Sequence, residues 1–205
     1  MKVAILIDGS FFQIRFYKAN NRNPSADDVL KMATKILEDS EFNGDRLLRI
    51  YYYDCYPFDE IIKHPITGLA TDYKETPVYR ARKNFLRNLA CKPKIALRSG
   101  KLSFGGWNIS GGNVQTLKTG GSFVPEMLEC KLEQKEVDVK IGLDIAWLSS
   151  KGIVDKIVLV TADSDFVPAM IFARREGAMI HLVNFGHKIK AELREHSDGI
   201  IELTL

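Results

Sequence analysis

The stretch IVLVTADSDFVPAMIFARREGAMIHLV, Ile157 to Val183, decides the fold. Ile157 to Val160 is a short, apolar, β-branched run, the pattern of a strand covered on both faces. Pro168 lacks an N–H and is tolerated only in a first helical turn, so the next helix cannot begin before about Asp165. Ala169, Ile171, Phe172 and Ala173 give that helix an apolar side, and Gly177 stops it. A second apolar run then ends at Val183. Strand, helix and strand in so few residues make a βαβ unit and hence a parallel sheet. Ligands of such sheets bind beyond the carboxyl ends of the strands. Asp163 and Asp165 fall there, with Ser164 between them.

Working outward, Val3 to Ile7 is another continuous apolar run, and it ends at Asp8-Gly9-Ser10. Gly9 allows a tight turn and Ser10 can cap the helix after it. Asn20 to Pro24 breaks the chain before Ser25 opens an amphipathic helix, with Val29, Met32, Ala33, Ile36 and Leu37 on one face. Leu47 to Tyr53 reads as a strand. Between residues 54 and 121 the rhythm changes to turn punctuation, and we read this segment as an excursion at the rim of the sheet. It contains a helix, Val78 to Ala90, and a β-hairpin formed by Ile95–Arg98 and Leu102–Phe104 around Ser99-Gly100-Lys101. Leu117 to Ser122 reads as a loop.

Lys135 to Ser150 alternates like a strand and also keeps helical spacing; its length favours a crossover helix. A short polar helix, His187 to His196, and an edge strand, Ile200 to Leu203, close the chain.

A chain of 205 residues with 45% hydrophobic content suffices for one α/β domain spanning residues 1–205. No apolar run reaches the ~18 residues of a membrane span. The apolar start is stopped by Asp8 after five residues, so it reads as a strand, and a cytoplasmic location is expected. Cys55, Cys91 and Cys130 fit neither a disulfide framework nor a zinc site. The net charge of +3 permits an anionic partner without demanding one.

The carboxylates carry the functional argument. Asp8 ends one buried strand, and Asp163 and Asp165 follow another. If those strands are adjacent at the point where strand order reverses, three acids converge on one cleft, and Asp138 at the start of the crossover helix supplies a fourth. Close carboxylates raise one another's pKa unless a cation neutralises them. A hard divalent ion, Mg²⁺ or Mn²⁺, resolves the conflict and can activate water against a phosphoryl group. Each acid also has an ordinary role open to it. Asp8 can close a turn, Asp165 can cap a helix, and Asp138 suits a helix dipole. Asp144 points ~120° away from Asp138 on a regular helix, and a salt bridge to Lys140 is its expected use.

The segments IDGSF (Ile7–Phe11), KEVDVKIGLDIAWLS (Lys135–Ser149) and VTADSDFVPAMIFARREGAMI (Val160–Ile180) together resemble the NYN domain. More narrowly, they resemble the LabA-like branch of the PIN-like nuclease superfamily. That resemblance implies a Rossmann-like three-layer α/β/α sandwich around a central, mainly parallel sheet, and a metal-dependent ribonuclease. It places the family's acidic positions on Asp8, Asp138, Asp163 and Asp165, as catalytic residues and ligands of Mg²⁺ or Mn²⁺, with Asp144 a further candidate and Ser10 and Ser164 in support. Many relatives carry Asn where this chain has Ser10 or Phe11, and Gly-Asp where it has Ala162-Asp163.

The expected partner is RNA, single-stranded. Arg80, Arg82, Lys83 and Arg87 form a basic helix face, and Arg98, Lys101 and Lys118 lie on nearby turns, where phosphate contacts would give affinity without sequence choice. Tyr52, Tyr53, Tyr56, Tyr79 and Trp107 are available to stack bases. A homo-oligomer is left open. Two other readings remain: a catalytically weak RNA-binding or regulatory module acting through a partner, and a metal-dependent nucleotide phosphohydrolase.

Overall fold

The computed structural model describes residues 1–205. In chain order the first elements are β1 (Lys2–Asp8), α1 (Gly9–Asn20), α2 (Ala26–Leu37) and β2 (Arg46–Cys55). A small hairpin, β3 (Ile61–Lys63) and β4 (Ala70–Asp72), then precedes α3 (Pro77–Ala90), β5 (Ile95–Ile109), α4 (Gly111–Lys118) and β6 (Leu128–Lys135). The last third holds α5 (Val137–Ser150), β7 (Lys156–Val160), α6 (Val167–Arg175), β8 (Met179–Val183), α7 (Ala191–Glu195) and β9 (Gly199–Ile201).

Seven strands form one sheet in the order β6-β5-β2-β1-β7-β8-β9. All neighbours are parallel except β6, which runs antiparallel to β5 at one edge. The six parallel strands therefore follow the doubly wound order, and the reversal of strand order falls between β1 and β7. This is the α/β sandwich expected from the sequence.

Alternation along the central strands sorts the core into two layers. Val3, Ile5 and Ile7 of β1 face a cluster with Phe12, Val29, Ile36, Leu86 and Leu89, so α1, α2 and α3 cover that side. Ala4 and Leu6 face Ile141, Ile145, Leu148, Met170 and Leu193, so α5, α6 and α7 cover the other. Val3 to Ile7 are all fully buried, and each large side chain among them contributes about 1.5–3 kcal/mol of transfer free energy. Both faces of β1 are thus dry, which leaves its carboxyl end as the place where it can present a polar group.

The ambiguous segment after Lys135 is a helix from Val137, and Lys135 itself ends β6. The βαβ unit forms as read, except that a 3-10 turn, Ser164–Phe166, precedes α6.

The excursion differs from its reading. Ile95 to Phe104 is not a hairpin but part of one continuous strand, β5, whose first half pairs with β2 and whose second half pairs with β6. Gly100 marks no turn there. A Cβ on it would lie 2.5 Å from the Lys135 carbonyl oxygen and 3.1 Å from Cys55 Sγ, so the glycine permits close approach. The hairpin of this segment is β3–β4 instead, and β5 belongs to the main sheet rather than its rim. The expected loop at Leu117 begins inside α4.

Candidate active site

Asp8 is the last residue of β1 and the N-cap of α1, accepting a hydrogen bond at Oδ1 from the Phe11 N–H at 3.1 Å. The helix must start against the end of β2. A Cβ on Gly9 would lie 2.6 Å from the Tyr53 carbonyl oxygen and 2.9 Å from Asp54 Oδ2, so only glycine fits after Asp8.

Across the strand reversal, Asp163 caps the 3-10 turn after β7, accepting from the Asp165 N–H at 3.0 Å. Thr161 connects the two acids. Its hydroxyl donates towards Asp8 Oδ2 at 3.5 Å and accepts from the Asp163 N–H at 3.1 Å. Asp138 lies in the first turn of α5, which packs against the 3-10 turn. Ser164 accepts a hydrogen bond from Lys190 Nζ at 2.7 Å.

The electrostatics tie these side chains together. Burial pushes the Asp8 carboxyl up to about 6; the Phe11 N–H opposes this, while the charges of Asp138 and then Asp163 push it further. Asp138 is also raised, first by desolvation and then by Asp163 and Asp165. Four acids from three separate segments therefore share one field. Ser10 sits half-buried on the first turn of α1, where its backbone N–H also favours the Asp8 carboxylate.

Asp144 stands apart. Its Oδ2 accepts from Tyr53 Oη at 2.7 Å and from Arg98 Nε at 2.9 Å. The expected bridge to Lys140 does not form, because Lys140 turns to Glu136 and the Ser99 carbonyl. Asp144 is a tether between α5, β2 and β5, not a member of the acid group.

Asp54 is the residue that the strand pattern did not expose. At 1% exposure on the end of β2, it accepts from Gln13 Nε2 at 2.7 Å, the Cys55 N–H at 2.8 Å and Arg82 Nη2 at 2.7 Å. The available signal was its position: it is the last residue but one of the parallel strand beside the one that Asp8 ends.

The basic side chains divide in the same way. Arg82 is turned inward to Asp54 and Arg98 to Asp144, while Arg80 pairs at the surface with Glu75 at 2.7 Å. Lys83 and Arg87 stay exposed on α3, and Lys118 on α4. Lys101, 77% exposed, approaches Glu136 at 3.6 Å. Lys83, Lys101 and Lys140 line a 610 Å³ cleft beyond the carboxyl end of β2 and beside the middle of β5, with Tyr56, Tyr79 and Ser99. Tyr52 and Tyr53 cannot stack on bases, since both are fully buried. Trp107 packs edge-on against His64, with ring centroids 4.9 Å apart.

No three His, Cys, Asp or Glu side chains are grouped closely enough to hold a metal ion directly between them. The donor chemistry nevertheless fits Mg²⁺ or Mn²⁺, because such ions are commonly held by one or two carboxylates, with waters and substrate phosphates completing the shell. Asp8 and Asp163, linked through Thr161 and coupled by charge, are the pair that fits that mode.

Comparison with known proteins gives a partial family match and a likeness of fold. Residues 121–204, less than half of the chain, match the family model of the NYN domain. That match takes in Asp138, Asp163 and Asp165. No curated protein matches the sequence. A crystal structure of a Vibrio parahaemolyticus protein of unknown function is similar, with a TM-score of 0.51, 16% identity and coverage of 98% of this chain and 92% of that one. This likeness shows the fold alone. A pyrazinamidase/nicotinamidase from Streptococcus mutans aligns over 96% of this chain and 91% of that one at 17% identity, with a TM-score of 0.32 too low to carry an argument. No helix is long and apolar enough to cross a membrane.

Proposed function

We propose that this chain is a metal-dependent ribonuclease of the NYN type, in the LabA-like branch of the PIN-like nucleases, hydrolysing phosphodiester bonds of single-stranded RNA. One observation carries the reading. Acids from the end of β1, the start of α5 and the turn after β7 surround the point where the strand order reverses, and the Asp8 and Asp138 carboxyls are raised there by burial and by the charges of their acidic neighbours. Such an arrangement is costly without a cation and useful with one. The NYN match over residues 121–204 supports the reaction class.

Asp8 and Asp163 would hold Mg²⁺ or Mn²⁺, with Asp138 and Asp165 at the rim orienting water and repelling misplaced phosphates. Bound there, the ion would lower the pKa of a coordinated water and neutralise charge developing on the phosphoryl oxygens. The chain's own groups do the rest. Thr161 fixes the Asp8 carboxylate through its hydroxyl, Ser10 and Ser164 can donate to phosphate, and the lysine cleft holds the strand.

The reading is tested by cleavage of a labelled single-stranded RNA in Mn²⁺, Mg²⁺ or chelator, with wild type beside Asp8→Asn and Asp163→Asn. Cleavage should require the ion and fall by orders of magnitude in both variants. Undiminished cleavage in both would reject this site, and no cleavage by wild type would favour a binding module that acts through a partner.

A further inference from the structure

Beside the lysine cleft lies a second, smaller cavity that the reaction does not use. It measures 320 Å³, at the small end of the range for ligand sites. Its walls are mainly apolar: Pro57, Phe58, Tyr73, Val78, Leu102 and Leu132 among them. Phe58 and Tyr73 meet edge to face with centroids 5.2 Å apart, which gives the cavity a rigid aromatic side. Asp54 and Arg82 supply its charged wall.

Three observations together identify what would fill it. First, the cavity and the lysine cleft share Pro57, Phe58, Tyr79 and Leu102 as lining residues, so they are immediate neighbours. Second, Asp54 lies against Gly9, with Oδ2 2.9 Å from where a Cβ would be, and Gly9 follows Asp8 directly. A group held here is therefore next to the acid centre. Third, Arg82 spends only Nη2 on Asp54, at 2.7 and 2.8 Å, and its Nε and Nη1 make no hydrogen bond within the protein.

An apolar, aromatic cavity beside a buried carboxylate repels a phosphate. It suits a flat, uncharged ring with acceptors on one edge, and the donors left on Arg82 match such an edge. We propose that this cavity is a nucleobase subsite, which takes one unstacked base of the RNA while the backbone follows Lys83, Lys101 and Lys140. The inference rests on the ribonuclease reading for its choice of ligand. Guanine fits the donor-only guanidinium best, because its O6 and N7 edge offers two acceptors where adenine and cytosine each present an amino group.

Binding rather than cleavage tests this. Asp8→Asn protein in chelator, which leaves the RNA intact, is titrated with a single-stranded octamer of uridines carrying one central guanosine. Octamers with adenosine or cytidine at that position, and inorganic polyphosphate of equal charge, serve as comparisons. The guanosine octamer should bind about tenfold or more tightly than polyphosphate, since one stacked base is commonly worth that much, and more tightly than the other two octamers. Leu132→Trp fills the cavity from its wall and should reduce octamer affinity to the polyphosphate level while leaving polyphosphate binding unchanged. Val78→Trp does the same from the rim, where Val78 is 70% exposed and the fold is not at stake.

Octamers that bind no better than polyphosphate, or that ignore both tryptophans, would overturn the subsite while Mn²⁺-dependent cleavage by wild type kept the ribonuclease reading. Absence of both RNA binding and cleavage would overturn the two together.

Discussion

Arg82 donates from Nη2 to both carboxylate oxygens of Asp54, at 2.8 and 2.7 Å, and joins the middle of α3 to the end of β2. The two partners are unequally buried, Asp54 at 1% exposure and the Arg82 side chain at 28%. Burial raises the Asp54 pKa even though the guanidinium pulls it down, so the attraction does not fully offset the desolvation of the carboxylate. Removing Arg82 would leave that charge stranded. Arg82→Gln should therefore cost about 3–5 kcal/mol at pH 7, whereas Asp54→Asn costs less, because the freed guanidinium reaches water. A raised folded-state pKa favours the fold at low pH and loses that contribution as pH rises. The Arg82→Gln deficit should accordingly shrink as pH falls towards 4 and Asp54 takes up a proton. Urea unfolding of both variants at pH 7 and pH 4 measures this; equal costs at both pH values would contradict it.

Asp8 gives a second stability signature, in metal-free protein. Its folded-state pKa is about 6 against an ordinary value of 3.8. Its contribution to stability is fully present below the unfolded value and disappears as pH rises through 6. In chelator, wild type should lose about 1–3 kcal/mol relative to Asp8→Asn between pH 4 and pH 7, after allowance for solvent screening. Asn keeps the acceptor for the Phe11 N–H, so the cap survives. Adding Mn²⁺ at pH 7 should raise the melting temperature of wild type more than that of the variant. Parallel melts in both proteins would mean that the charge at Asp8 is already neutralised within the protein.

Much of this architecture was legible because parallel strands buried on both faces must be apolar runs, as Val3–Ile7 and Ile157–Val160 are. Their polar ends then announce Asp8, Asp163 and Asp165. The features that stayed hidden depend on partners far away in the chain. Nothing near Ser99-Gly100-Lys101 says that Gly100 lies under the Lys135 carbonyl, so the glycine reads as a turn. The edge strand β6, LECKLEQK, has few residues of strong β-propensity and is defined by its pairing with β5. Asp144 has a lysine four residues before it in sequence, yet its charge goes to Arg98, 46 residues away. Asp54 reads as the start of a turn until Gln13 and Arg82 are placed around it.

Two glycines with opposite surroundings give a direct test of the turn at the site. On Gly9 a Cβ would meet the Tyr53 carbonyl oxygen at 2.6 Å and Tyr52 Cε1 at 2.8 Å, both parts of a buried strand that cannot yield. Gly9→Ala should destabilise by about 2–4 kcal/mol or shift α1 away from β2. Gly142 is inside α5 with nothing within 4 Å of a Cβ. Gly142→Ala should stabilise by about 0.5–1 kcal/mol through helix propensity and a less flexible unfolded chain. Chemical denaturation of both proteins decides; a neutral Gly9→Ala would show that the Asp8 turn is looser than its packing implies.

The salt dependence of RNA binding separates cations that serve the fold from those free to meet a phosphate. Arg98 is held by Asp144, and its guanidinium lies 5.1 Å from the Tyr51 ring centroid. Arg98→Ala should therefore register mainly as reduced stability. Lys83 and Arg87 are exposed on α3, and Lys101 is exposed beside the cleft. Replacing these three by Ala should change stability by no more than about 0.5 kcal/mol each, as is usual at exposed positions. Removing one cation that touches a phosphate should also reduce the slope of log K against log[salt] by about 0.7 for a single strand. The triple variant is expected to lose about 2 from that slope if all three touch the backbone, while its preference among octamers of different sequence stays the same, because phosphate contacts carry no base information. Titrations with one single-stranded octamer at four salt concentrations supply the slopes. If the triple variant keeps the wild-type slope, the cations of α3 and the cleft do not touch the strand, and the path of the RNA must be sought on another side of the acid centre.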